Sequence, residues 1–438
     1  EGVNVYKVNS IYGNVGYSQN FVTGTSLQVN WINGRQTTNG IFDILSPAIN
    51  SKVEAVVTQP LLAGFGIGPN LRFLRIARAN QKISGIAFRA QVIATVTQIC
   101  DIYWDLVSAY ETEQVGQRSV DFAQDTLDKS RKQLELQAIP EMDVLKAEGD
   151  LAERQQDLTV ASTNLELQEL YMKNAITRSL DDPVLEEMPV VPTDHIGADL
   201  ATPSEPVQAM IDRALTSRTE LQESALDLKN RELSRKTARN ALLPTLNAYG
   251  LYAGTGLAGQ TSPNLALGGL TSTVPQSYGG ALQSTFNNTA PEYQLGLSLN
   301  IPLRNRIAKA DQYRTELEYR QSQVYAEELK KSIRIEVRNA RYALEQGASR
   351  VAAAREARDL AAKTLDIMQK EQKLGAGSNQ QTLSSEHDLA VAESTLVAAE
   401  TAYEKARIEV RRATGSVLED YGISIADAQS GVVRTAQQ

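Results

Sequence analysis

Two hydrophobic periods alternate along the chain. From Ile83 to Tyr110 the apolar positions Ile83, Ile86, Ala90, Ile93, Val96, Cys100, Tyr103, Leu106 and Tyr110 recur at spacings of three and four, close to the 3.5-residue repeat of a coiled-coil seam. Leu329, Ile333, Val337, Ala340 and Leu344 do the same, and Ala354, Ala357 and Ala361 keep that seam narrow enough for helices to approach closely. The pattern predicts helices from about Pro69 to Leu136, Pro140 to Leu180, Glu205 to Ala241, Arg304 to Leu374 and Ser378 to Thr414. A helix of roughly 70 residues is a rod of about 100 Å. With only a narrow apolar seam and a surface of Glu, Lys, Arg and Gln, such a rod must lie against others in water.

Elsewhere the period is two. Tyr293, Leu295, Leu297, Leu299 and Ile301 face one way, while Gln294, Gly296, Ser298 and Asn300 face the other; Leu27, Val29 and Trp31 oppose Gln28 and Asn30. Strands are predicted at 13–33, 51–60, 243–255 and 292–301, with a long uncharged Gly/Ser/Thr/Asn-rich loop over 254–290. A wall with one apolar and one polar side fits a soluble sandwich, and it also fits a membrane barrel around a polar lumen. Four strands cannot close a membrane barrel, and an open edge in lipid leaves backbone groups unpaired. Other copies of the chain must therefore complete it, and a cyclic trimer gives twelve strands.

The chain also repeats itself. The segment from Lys373, KLGAGSNQQTLSSEHDLAVAE, lies over QLELQAIPEMDVLKAEGDLAE from Gln133, an offset of about 240 residues, and VVTQPLLAGFG with Pro60 corresponds to LSLNIPLRNR with Pro302. Both hairpin tips fall at matching positions. Pro140 suits a first helical turn, with Glu141 and Asp143 near its positive end. Ser378 and Gln381 have the spacing of a capping box, and Gly375 and Gly377 supply the tight reversal before them.

Composition narrows the chemistry. The 438 residues carry 44 basic and 52 acidic side chains, a net charge of −8, which disfavours a nucleic-acid partner. A single cysteine, Cys100, and two histidines, His195 and His387, leave little for a disulfide framework, a metal site or a histidine relay. Cys100 reads as buried seam packing, and Tyr103, Trp104 and Tyr110 as interhelical packing. Tyr249, Tyr252, Tyr293 and Trp31 fall in strands, where aromatics anchor at headgroup level. The Gly-Ala-Gly-Ser run lacks the GxxxxGK[ST] spacing of a phosphate loop. No nucleophile–base arrangement is visible, no cofactor is implied, and no transmembrane helix or signal peptide is expected.

In TQPLLAGFG at 58–66, PEMDVLKAEGDLA at 140–152, ALLPTLNAYG at 241–250, NIPLRNRIAKA at 300–310 and LGAGSNQQTLSSEHDLAVAE at 374–393, the chain resembles the TolC-type outer-membrane efflux proteins. The order, duplication and spacing of these pieces cover nearly the whole chain. The resemblance implies a homotrimer: all-α with membrane β, a 12-stranded β-barrel continued by a 12-helix α-barrel, internally duplicated. It divides the chain into 1–60 (first-half membrane strands, N-terminally incomplete), 61–182 (long and returning helices), 183–204 (equatorial linker) and 205–241 (helix). The second half follows as 242–302 (membrane strands and extracellular loop), 303–414 (long and returning helices) and 415–438 (equatorial tail).

The implied function is an outer-membrane exit duct for an energised inner-membrane transporter, reached through a periplasmic adaptor (membrane fusion) protein. Asp143 stands where the family carries a carboxylate near the periplasmic constriction, Gln381 at the matching position of the second repeat, and Ser384 where another acidic residue can occur. Gly377 replaces a position that can hold arginine, so a closing network of charged bonds is not expected. Ala138, Pro140, Gly375, Gly377, Ser378 and Asn379 form the tips that would meet the adaptor. Leu295, Leu297 and Leu299 would face outer-membrane lipid. The competing reading is a trimeric exported coiled-coil scaffold or adhesin without a conducting lumen; a soluble enzyme with helical insertions fits neither the strand–rod layout nor the missing catalytic groups.

Overall fold

The computed structural model describes residues 5–177, 188–194, 205–263, 272–374 and 377–431. His195, Gly375, most of the 183–204 linker, the centre of the 254–290 loop and the end of the tail lie outside the described residues. Two compact units are formed, Glu1–Lys82 with Ala225–Val324, and Ile83–Ser224 with Tyr325–Gln438.

The first unit contains an antiparallel sheet in the order β1 (Val8–Asn20), β2 (Ser26–Thr38), β3 (Leu45–Pro60), β4 (Thr245–Thr261) and β5 (Pro291–Asn300). Five strands stand where four were expected. The run 13–33 is two strands joined by a tight turn, in which Phe21 N–H donates to Thr25 O (2.8 Å) and Gly24 N–H to Phe21 O (2.9 Å). Gly24 has φ 94°, and a Cβ there would lie 2.6 Å from the Gly64 carbonyl oxygen; only glycine meets both demands. The 254–290 stretch is also not simply loop, since β4 continues to Thr261 and a nine-residue helix, Tyr278–Phe286, precedes β5.

The helices are α1 (Ile67–Asn70), α2 (Arg72–Glu135), α3 (Glu141–Ile176), α4 (Val207–Ser217), α5 (Thr219–Asn240), α6 (Tyr278–Phe286), α7 (Arg306–Lys373), α8 (Asn379–Thr414), α9 (Val417–Asp420) and α10 (Ile425–Ser430). The two hairpins match in length, α2 and α3 having 64 and 36 residues and α7 and α8 having 68 and 36. The helix expected over 205–241 is interrupted at Arg218, whose ψ of 129° is extended. The break places polar groups at the C-terminus of α8. Ser217 Oγ donates to Thr414 O (2.8 Å) and the Arg218 guanidinium to Ala413 O (3.4 Å), which satisfies carbonyls left open by the helix end. Arg218 also pairs with Glu336 at 3.0 Å.

Two seams hold the second unit. Ala123 and Leu127 of α2 pack on Val144, Ala147 and Leu151 of α3. A larger seam joins Met210, Ile211 and Ala214 of α4, Ile333, Val337, Leu344 and Val351 of α7, and Tyr403, Val410 and Ala413 of α8. The predicted positions Ile333, Val337, Ala340, Leu344 and Ala354 of α7 are thus buried against partners, whereas Leu329 and Ala361 are partly buried and Ala357 is exposed. The seam of α2 is less complete: Leu106 is fully buried and Cys100, expected to be buried, is half-exposed. One 18-residue stretch of α2 is apolar enough, by length and composition, to cross a membrane, and none of it is buried in the single chain. That qualifies the expectation that no helix passes this test.

Candidate functional site at the hairpin tips and on the sheet faces

At the first tip, α3 starts from Pro140, whose φ of −68° and ψ of 150° set the chain for the first turn. Asp143 N–H donates to Pro140 O (3.1 Å), and its carboxylate lies 3.7 Å from Lys146. At the second tip Ser378 caps α8: its Oγ accepts from Gln380 N–H (3.2 Å), and Gln381 Oε1 accepts from Ser378 N–H (3.4 Å). The expected capping box is therefore present. Gly377 is required by close approach, since a Cβ would lie 2.8 Å from Gln372 N at the end of α7.

The two tips meet. A cavity of about 420 Å³ is lined by Ala138, Pro140 and Asp143 from the first and by Gly377, Ser378 and Asn379 from the second. Gln381 and Ser384 lie outside it. Gln381 is engaged in the cap, and Ser384 is exposed on α8. Asn379 joins the halves through neutral hydrogen bonds, donating to Ser130 Oγ (3.1 Å) and Gln133 Oε1 (3.4 Å) of α2 and accepting from Gln372 of α7. Sequence reasoning placed Asn379 at the tip without naming these partners.

A polar cluster further along the same unit went unrecognised. Arg154, only 6% exposed, bonds Asp150 (3.4 Å) and Asp157 (3.3 Å) of its own helix. Glu386 is buried beside it on α8; burial pushes its carboxyl up, while the Arg154 charge opposes that shift and Asp150 adds to it. Of these groups Arg154 and Asp157 line a groove of about 800 Å³, together with small residues such as Gly116, Ala353 and Ala390. His387 also lines it, and its Nδ1 has no hydrogen bond. Among the described residues no group of three or more His, Cys, Asp or Glu is arranged to hold a metal. Tyr103, read as packing, stacks edge-on to Trp104 and also donates to Asp194 of the linker at 2.6 Å.

The sheet has two chemically distinct faces, because residues paired across strands share a face. One row runs Tyr17, Val29, Ala55, Tyr252, Tyr293 across all five strands, and the next runs Val15, Trp31, Val53, Gly254, Pro291. Leu295, Leu297 and Leu299 continue this apolar face, 91%, 71% and 59% exposed in the single chain. The opposite face carries Asn30, Gln28, Gln294 and Ser298, and Lys52 bonds Glu54 (2.9 Å) and Glu292 (3.2 Å) there. Tyr252, Tyr293 and Trp31 share the apolar face. Tyr249 does not: it lies on the polar face, its ring filling the space above Gly296.

Over residues 210–416 the sequence matches the protein-family profile described as outer membrane efflux protein. No curated protein sequence matches the chain. Among solved structures it resembles CusC, at 16% identity with 94% of this chain and 83% of that chain covered and a TM-score of 0.65. It also resembles the Campylobacter jejuni CmeC outer membrane channel, at 15% identity, 98% and 81% coverage and a TM-score of 0.65. For the open state of the Neisseria gonorrhoeae MtrE outer membrane channel the values are 16%, 93% and 80%, and 0.62. At such identities the likeness establishes the fold.

Proposed function

We infer that this chain, whose sequence and structure match the TolC/OEP outer-membrane efflux protein family, is the outer-membrane exit duct of a tripartite efflux or secretion system in a Gram-negative envelope. The observation that carries this reading is the two-faced sheet. Its apolar face is exposed, its other face is polar and charged, and its edges are open. Such a sheet is stable in lipid only when closed on itself with the polar face inward.

Three copies close it in this proposal. β2 and β5 run in opposite directions, so a β5 can meet a neighbour's β2 antiparallel, and β2–β5 of three chains make twelve strands. β1, which holds the outer edge of β2 in the single chain, gives up that edge at the seam. α2, α3, α7 and α8 of three chains make a twelve-helix periplasmic tunnel, built on an internal duplication, and neighbouring copies cover the unburied apolar stretch of α2. The 183–204 linker and the 415–438 tail form its equatorial collar. At the tips Asp143 rings the constriction, with Gln381 and Ser384 nearby. Ala138, Pro140, Gly375, Gly377, Ser378 and Asn379 receive a periplasmic adaptor, which links the duct to an energised inner-membrane transporter. The duct itself is passive and is not an enzyme.

The test is assembly and conductance together. Detergent-purified protein should cross-link as a trimer, show an axial cavity in particle images and conduct ions in planar bilayers. A stable monomer refutes the reading, and a trimer with packed helices and no conductance favours the scaffold.

A further inference from the structure

The helix α6 has no part in the duct reading, and its position is specific. It lies on the apolar face of the sheet, over β4 and β3. Its seat is made by glycine. A Cβ on Gly254 would collide with the Thr285 carbonyl oxygen, and one on Gly256 with that of Ala281. Thr285 Oγ1 donates to Ser51 O (3.0 Å), and Tyr278 OH donates to Asn33 Oδ1 (2.8 Å). Ser51 and Ala258 of the sheet and Ala281 and Thr285 of the helix are buried, while Gln283 and Phe286 point away from the sheet.

The level at which it sits can be worked out. From Leu246, paired with Leu299, to Gly256 the strand advances ten residues. At about 3.3 Å each that is about 33 Å, or about 25 Å along the membrane normal at a tilt of about 40°. This equals the height of the outward apolar band of a membrane barrel, about 25 Å. α6 therefore begins where the band ends. The aromatic row of Tyr252 and Tyr293, with Trp31 one row above, lies just below it on the same face. From Ser272 to Ala290 there is no charged residue. A short helix satisfies its own backbone bonds at that depth, as an irregular loop does not.

We propose that α6 is an interfacial anchor, resting on the lipid side of the sheet with phospholipid headgroups as its outer partner. This rests on the reading that the apolar face meets lipid. Phe286 and Tyr278 supply the aromatic ends that favour the headgroup layer, and Gln283, Ser284 and Asn287 supply its polar contacts.

The test uses a nitroxide label at Gln283→Cys, in a Cys100→Ser background, with the assembled protein in phosphatidylethanolamine/phosphatidylglycerol vesicles. Labels at Leu297→Cys and Ser298→Cys give the lipid and water references. The collision ratio of lipid-soluble oxygen to a water-soluble nickel chelate at 283 should fall between the two. A ratio at 283 equal to that at 298, with 297 in lipid, overturns the anchor and leaves the barrel intact. Water-like ratios at both 283 and 297 overturn the barrel reading as well. Adding Gly256→Val to the 283-labelled chain should unseat α6 and raise nickel collisions; an unchanged ratio overturns the glycine seat on which the proposal stands.

Discussion

Leu295→Arg is the sharpest perturbation of the sheet, because its row lies in the middle of the apolar band. Leu295 pairs with Gly250, four residues from Leu246 at one end of the band and six from Gly256 at the other, well inside both boundaries. It is also the most exposed of the three leucines, at 91%. An arginine on the lipid face at the midplane costs about 2–4 kcal/mol, a shift of roughly 30- to 700-fold in the folding equilibrium of each chain. The neighbouring Gln294→Arg places the same charge on the face that already holds Glu292 and Lys52, where a substitution is expected to stay within about 0.5 kcal/mol. Reversible urea titration of folding into thin-bilayer vesicles, followed by gel mobility, reads the two midpoints directly. Equal losses for both variants would refute the assignment of faces, and a larger loss for Gln294→Arg would invert it.

Three further outcomes are expected. Asp143→Asn should weaken the cation preference of the assembled channel at low salt, an effect that shrinks as salt rises; Asp150→Asn should do less, since Asp150 is engaged with Arg154, and unchanged selectivity in Asp143→Asn would reduce that residue to a helix-start role. Asn379→Ala removes the cross-hairpin bond to Ser130, whose hydroxyl keeps its bond to Thr126 O, so the loss is that of a neutral hydrogen bond, about 0.5–1.5 kcal/mol, and it should increase open-channel events in single-channel recordings; because the lost bonds are neutral, the effect should be nearly independent of salt. The Glu386 carboxyl is raised by burial, so the folded helical unit holds that proton more tightly than the unfolded chain does. Its contribution to stability is therefore complete below the ordinary carboxylate range and lost as pH rises through the raised value; Glu386→Gln should flatten that part of the stability–pH curve in chemical denaturation, and an unchanged curve would exclude Glu386 as its source.

Much of the fold was legible because two periodicities carry it. The 3.5-residue seam of Ile333, Val337, Ala340 and Leu344 became a buried interface, and the alternation at Leu295, Leu297 and Leu299 became one face of a sheet. The failures occurred where periodicity is silent. Period two runs through both β1 and β2, so only the five residues Phe21–Thr25, with their single glycine, betray the reversal. The α6 segment has no apolar stripe of its own; it is helical because Ala281 and Thr285 find a seat on glycines far away in the sequence. Arg218 interrupts a helix whose local sequence favours continuity, since the gain lies in the carbonyls of Ala413 and Thr414, nearly two hundred residues downstream.

The candidate sites divide on the same line. Pro140, Asp143, Gly377 and Ser378 are read from local helix-end chemistry, and the structure collects them around one cavity. Asn379 needed its partners, because an asparagine one residue past a cap carries no sign of Ser130 and Gln133 across the gap. Glu386 did leave a trace: it sits three residues after the buried Leu383, where the seam calls for an apolar side chain. A carboxylate at such a position must find a charge partner, accept a proton or face water. Glu400 follows the first course, held by Arg355 at 2.6 Å. Glu386, with Arg154 already shared between two aspartates, is driven toward the second, so what the packing leaves beside each carboxylate, and not its place on the helix, decides how its burial is tolerated.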